Sequence, residues 1–187
     1  MGKLRVVRGR PHLLLMPSLA AVLFGVGIAS GFASTTTNLR VATRAYLMSG
    51  LNGMGSDAMS RIGAELRARG TIVTVGNYLQ ASTFAADVCT HRNDRIIVVG
   101  YSLGATFGAG LANAARACGV RSVRLVGVDP PALAASVTAG VSATNFVGAL
   151  QGTIGGASNT ATPGYDHVGI INDPHMQARI IAAARSY

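Results

Sequence analysis

The feature that most constrains this chain is a short apolar run, Arg95–Val99 (RIIVV), that passes straight into Gly100-Tyr101-Ser102-Leu103-Gly104. The following residues, ATFGAGLANAARA, are small and helix-compatible. An unbroken run of this length suits a strand buried on both faces. The pattern G-x-S-x-G is weak by itself in a chain with 24 glycines. Its setting between strand and helix is not weak, because a nucleophile elbow needs that setting. The turn must be so sharp that Ser102 takes a strained backbone, with glycines two residues either side to avoid Cβ clashes. The bland alternative is a glycine-lined turn with a capping serine.

Around that unit the chain alternates strand and helix patterns. Val41–Ser49, Thr71–Val75, Arg95–Val99, Ser122–Val128 and Asn145–Leu150 read as strands. Ser56–Arg69, Ser82–Cys89, Ser102–Ala117 and Pro174–Ala184 read as helices, with Ser56 or Asp57 as a cap and Gly70 as a stop. Such alternation implies an α/β fold with parallel strands, right-handed crossovers and helices on both faces. We expect five strands in the order 2-1-3-4-5. Ligands of such sheets sit beyond the carboxyl ends of the strands, where the strand order switches. That places chemistry at Gly50–Gly55 and Gly100–Gly104.

A nucleophilic serine needs a base, and the base needs an orienting acid. His91 falls in the turn before the third strand, at the wrong edge. His175 sits in the first turn of the closing helix. His167 lies in a late loop, after Pro163-Gly164-Tyr165-Asp166, and is preferred. Asp129 stands at the exit of the fourth strand, in VGVDPP, and is ranked first as the acid. Its plain reading is a turn-forming Asp-Pro pair. Asp166 adjoins His167 too closely in sequence, and Asp173 reads as a helix cap. One oxyanion donor is the Leu103 amide; the other is the amide of Leu51 or Asn52 in the glycine-rich loop.

These residues carry a resemblance. From about Val41 onward the chain resembles a small, lidless α/β-hydrolase of the serine esterase, lipase or thioesterase kind. RIIVVGYSLGATFGAGLA is similar to the elbow strand and helix of lipases, and LVGVDPP to those in which the acid follows the next strand. The resemblance implies a triad of Ser102, Asp129 and His167, with Leu51 and Leu103 as oxyanion donors. Two departures stand out: Ser49-Gly50 replaces the usual histidine-glycine pair, and the two opening strands of larger members are absent. The implied activity is hydrolysis of a small-molecule ester or thioester. The alternatives are an exported, non-enzymatic binding protein on the same fold and an envelope transacylase.

Charge and composition narrow the setting. At 187 residues and 49% hydrophobic, the chain is too apolar for disorder and sized for one domain. Lys3, Arg5, Arg8 and Arg10 precede an uncharged apolar run, Leu13–Phe32. This reads as a signal peptide over residues 1–33, cleaved before Ser34, with the domain over 34–187. The rival reading is a membrane anchor over residues 13–32, since the run is about long enough to span a bilayer. Beyond it the basic residues are all arginines, scattered and not interleaved with aromatics, so a nucleic-acid partner is not expected. No His/Cys spacing suggests a metal, and no cofactor is expected. The protein is expected to be periplasmic or secreted. Export also lets Cys89 and Cys118 pair as a disulfide. The alternative is two buried thiols.

Overall fold

A computed structural model of the protein describes residues 41–186. The expected signal peptide or anchor lies outside the described residues. Among the described residues there are six strands: β1 (Thr43–Ser49), β2 (Ile72–Asn77), β3 (Arg95–Tyr101), β4 (Ser122–Val128), β5 (Val141–Val147) and β6 (Ser158–Ala161). They form one sheet in the order β2-β1-β3-β4-β5-β6, with every neighbouring pair parallel. The expected five-stranded order is thus extended by one strand. Helices α1 (Ser56–Ala68), α2 (Ala81–Thr90), α3 (Leu103–Ala117), α4 (His167–Asn172) and α5 (Pro174–Arg185) flank it.

The period-two alternation of strand side chains divides the core between the two faces. Ala45, Leu47, Ile97, Val99 and Val126 pack with Met59, Ile62 and Leu66 of α1 and Met176 and Ile180 of α5. Tyr46, Met48, Ile96, Val98 and Leu125 pack with Phe84 and Val88 of α2 and Ala105, Ala109 and Ala112 of α3. The small residues of α3 serve close approach: a Cβ on Gly108 would sit 3.2 Å from Val98 and 3.3 Å from Leu125.

The sixth strand has a polar sequence, Ser-Asn-Thr-Ala, with no apolar signal. It is pinned by side-chain amides. Asn145 Nδ2 donates to Asn159 Oδ1 at 2.9 Å, and Asn159 also receives the Ile154 amide and donates to the Ile154 carbonyl. The fifth strand runs over 141–147 rather than the expected 145–150, because Ser142, Thr144 and Asn145 interrupt its apolar pattern.

Cys89, near the end of α2, and Cys118, capping α3, are joined as a disulfide with Cα atoms 5.4 Å apart. Both helices lie on one face and end at the edge where the strands begin. Among the described residues no helix is long and apolar enough to cross a membrane.

Candidate active site

The turn from β3 to α3 is as sharp as its glycines suggest. Ser102 has φ 55° and ψ −127°, a conformation costly for a non-glycine residue. A Cβ on Gly100 would overlap the backbone of Gly104, and one on Gly104 would overlap the Met48 carbonyl. The two glycines therefore let helix and strand meet at the switch point. The Ser102 amide donates to the Val128 carbonyl at 2.9 Å, which ties the turn to β4.

Asp129 follows β4 and is fully buried, again with positive φ, 43°. Its own amide donates to the Phe146 carbonyl, holding it to β5. Its Oδ1 accepts the amides of Gly148 and Leu150, both at 3.0 Å. Its Oδ2 lies 2.8 Å from His167 Nδ1. Two backbone N–H groups are directed at the carboxylate, and the His167 tautomer that satisfies both ring contacts carries its proton on Nδ1. Nε2 is then free to accept from the Ser102 hydroxyl, whose Oγ lies 3.1 Å away. The structure thus brings together Ser102, His167 and Asp129 from three separate stretches of chain. Gly148 is needed here, since a Cβ would stand 2.9 Å from the Asp129 carboxyl carbon.

His167 is not in a loop, as its sequence context suggests. It is the first residue of α4, a six-residue helix capped by Asp166, whose side chain accepts the Gly169 amide. Asp173 caps α5 by accepting from Met176. His91 lies in the turn after α2, bonded to Asp87 and Thr90, and His175 lies on α5. Neither belongs to the Ser102 cluster.

Tyr101 is the residue that sequence reasoning missed. Its ring stacks on the His167 imidazole, with centroids 4.8 Å apart and planes 22° apart. Its hydroxyl donates to the His167 carbonyl at 2.7 Å. Burial, with the nearby Asp129 and Asp166 carboxylates, pushes its pKa up to about 12. The available signal was strand parity: Tyr101 shares a face with Ile97 and Val99, the face on which α5 packs.

The loop after β1 closes over the serine. A Cβ on Gly50 would stand 2.7 Å from Ser102 Cβ. Leu51 opens a 3₁₀ turn, and Asn52 follows it in left-handed conformation, φ 52°. The first amides of a helical turn have no acceptor within it. Leu51 and Asn52 therefore offer donors on one side of Ser102, and Leu103, first residue of α3, offers one on the other. Ser49 is buried and donates to the Gly76 carbonyl, so it serves the sheet edge. Among the described residues no three His, Cys, Asp or Glu side chains converge as metal ligands.

No protein-family model and no curated protein matches the chain. Among solved structures it is similar to a protein assigned to the hydrolases of the alpha/beta superfamily from Xanthomonas campestris pv. campestris. The identity is 12% and the TM-score 0.47, over 77% of this chain and 95% of that one. It is also similar to a metagenomic carboxyl esterase, at 11% identity and TM-score 0.43, over 78% of this chain and 74% of that one.

Proposed function

We propose that the protein is a serine hydrolase that cleaves a carboxylic ester or thioester through an acyl-enzyme. The observation that carries this reading is the hydrogen-bonded line from Ser102 through His167 to buried Asp129, with the serine on a strained strand–helix turn. Ser102 Oγ attacks the carbonyl carbon while His167 Nε2 takes its proton. Asp129 fixes the tautomer and stabilises the imidazolium. The amides of Leu103 and Leu51 receive the oxyanion, each worth about 3 kcal/mol in such a site. The imidazolium then protonates the leaving alcohol or thiol. Water, deprotonated by the same histidine, releases the acid.

The setting proposed for this chemistry is outside the cytoplasm. The basic, then apolar, N-terminus supports export, and the Cys89–Cys118 pair suits an oxidising compartment. The partner is a small acyl substrate, with no nucleic acid and no cofactor.

A panel of p-nitrophenyl esters and acyl thioesters tests the reading. The parent is expected to hydrolyse at least one, and Ser102→Ala none. Turnover unaffected by Ser102→Ala would remove the assignment. Transfer of the acyl group to an added alcohol in preference to water would make the protein a transacylase.

A further inference from the structure

Exposed apolar side chains are not spread evenly over this molecule. Leu51 and Met54 follow β1, Leu79 follows β2, Leu133 follows β4, Leu150 follows β5, and Val168 adjoins His167. These six of the nine large exposed apolar side chains among the described residues stand at the strand ends that carry Ser102; Val41 and Ile72 lie where strands begin, and Phe107 lies on α3. Leu79 is 72% exposed and Leu133 51% exposed. Three of them touch the site through the backbone: Leu51 at the oxyanion loop, Leu150 through its amide on Asp129, and Val168 next to the histidine. Scattered single leucines on a surface need no explanation, but a ring around one site does.

Charge is distributed the opposite way. From Pro130 to Tyr165, which covers the loops beside Asp129 and before His167, there is no Asp, Glu, Lys, Arg or His. The loops over residues 50–55 and 77–81 carry none either. A cavity of about 500 Å³ beside the acid, lined by Val147, Gly148, Ala161, Pro163 and Tyr165 among others, is likewise uncharged. The acids near this edge are Asp57, Asp129, Asp166 and Asp173. Arginines gather where the strands begin: Arg44, Arg67, Arg69, Arg92, Arg95 and Arg121.

We infer that this edge docks on a lipid surface of zwitterionic or uncharged headgroups, and that the acyl group cleaved at Ser102 comes from a neutral, apolar ester held there. The inference rests on the hydrolase reading for the identity of the reaction. The occupant follows from the position of the ring. The leucines come from separate loops surrounding the serine, so a folded protein seated on them would cover Ser102 and stop turnover. A lipid surface covers the same ring and supplies the substrate. Phosphate-bearing thioesters such as acyl-coenzyme A need basic groups near the mouth. Here the loops around the serine carry no basic group: Arg179 is held over the Phe146 ring, Arg61 is bonded to Asn172, and six other arginines lie at the far edge.

The chain contains no tryptophan, which makes the test direct. Leu79→Trp and Leu133→Trp are single reporters on the ring, and Ile72→Trp, at the start of β2, is a reporter at the opposite edge. Each full-length variant is mixed with phosphatidylcholine vesicles carrying brominated acyl chains. Blue-shifted, quenched emission is expected from Leu79→Trp and Leu133→Trp, and unchanged emission from Ile72→Trp. Equal quenching at all three positions, or none on the ring, overturns the docking. In parallel, turnover of an emulsified neutral ester should exceed that of the acyl-coenzyme A of equal chain length; the reverse order overturns the substrate class. Quenching does not depend on turnover. A chain that docks but leaves Ser102 unreactive would sink the hydrolase reading, and one that reacts without docking would sink only this inference.

Discussion

The two edges of the sheet use the same residue types for opposite ends. Where the strands begin, polar groups hold the structure: Arg44 pairs with Asp94 at 2.7 Å, Arg116 reaches the Val120 and Arg121 carbonyls, and the disulfide links α2 to α3. Turns there are ordinary, with Gly70 and Gly119 in left-handed conformation and open space around both. Where the strands end, non-glycine residues occupy that costly conformation: Asn52, Ser102, Asp129 and Gln151. Gly100, Gly104 and Gly152 there are packed against other backbone. Strain of this kind persists only where surrounding contacts over-determine it. The comparison separates an edge built for stability from one built to hold three side chains in line.

Substitutions at the two edges should therefore divide activity from stability. The largest expected effect is at Ser102. Ser102→Ala should lower kcat by a factor of about 10⁶, as loss of a triad serine does elsewhere, with Tm nearly unchanged. At the opposite edge, Cys89→Ser with Cys118→Ser should do the reverse. The bridge closes a sequence separation of 29 residues. Its loss is expected to cost about 3–4 kcal/mol in denaturant titrations while kcat of the folded protein stays at the parent value. A drop in kcat at temperatures where the variant is folded would show that the edges are coupled.

Tyr101 lies at the boundary between the two roles. Its pKa is raised from 10.0 to about 12, so folding favours the protonated phenol. That contribution is complete below pH 10 and is lost as pH rises through about 12; it amounts to roughly 2–3 kcal/mol. Burial and Asp87 push Tyr46 in the same direction. Alkaline titration followed by tyrosinate absorbance and circular dichroism should show ionisation of both together with loss of structure. Ionisation of all tyrosines near pH 10 with the fold intact would contradict this. Smaller still is Tyr101→Phe, which keeps the ring on His167 and removes one hydrogen bond, worth about 1 kcal/mol. It should lower kcat only a few-fold with KM unchanged, whereas Tyr101→Leu, lacking the stack, should also shift the pH profile of kcat/KM. Identical profiles for the two variants would reduce Tyr101 to core packing.

What the sequence revealed follows the range of the interactions involved. The elbow was legible because Gly100, Ser102 and Gly104 satisfy a local steric demand within five residues. Asp129 was legible as the first residue after an apolar strand, followed by two prolines that keep the strand from continuing. Cys89 and Cys118 could be paired because they are the two cysteines of a chain read as exported; that their helices share a face is visible only in the fold. His167 was placed in the right segment but not in its helix, since HVGIIN is too short to display a period. β6 escaped notice because it is held by Asn145 and Asn159, and amide networks leave no hydropathy pattern. The stack of Tyr101 on His167 joins positions 66 residues apart, a relation that only the assembled sheet makes visible.

The central claim is that Ser102 is an activated nucleophile. Treating the protein with a fluorophosphonate, then measuring intact mass and mapping the modified peptide, tests it without knowledge of the substrate. One adduct per chain is expected, on Ser102, absent in Ser102→Ala and formed far more slowly in His167→Gln. No adduct on the folded parent, or an adduct that survives Ser102→Ala, would contradict it.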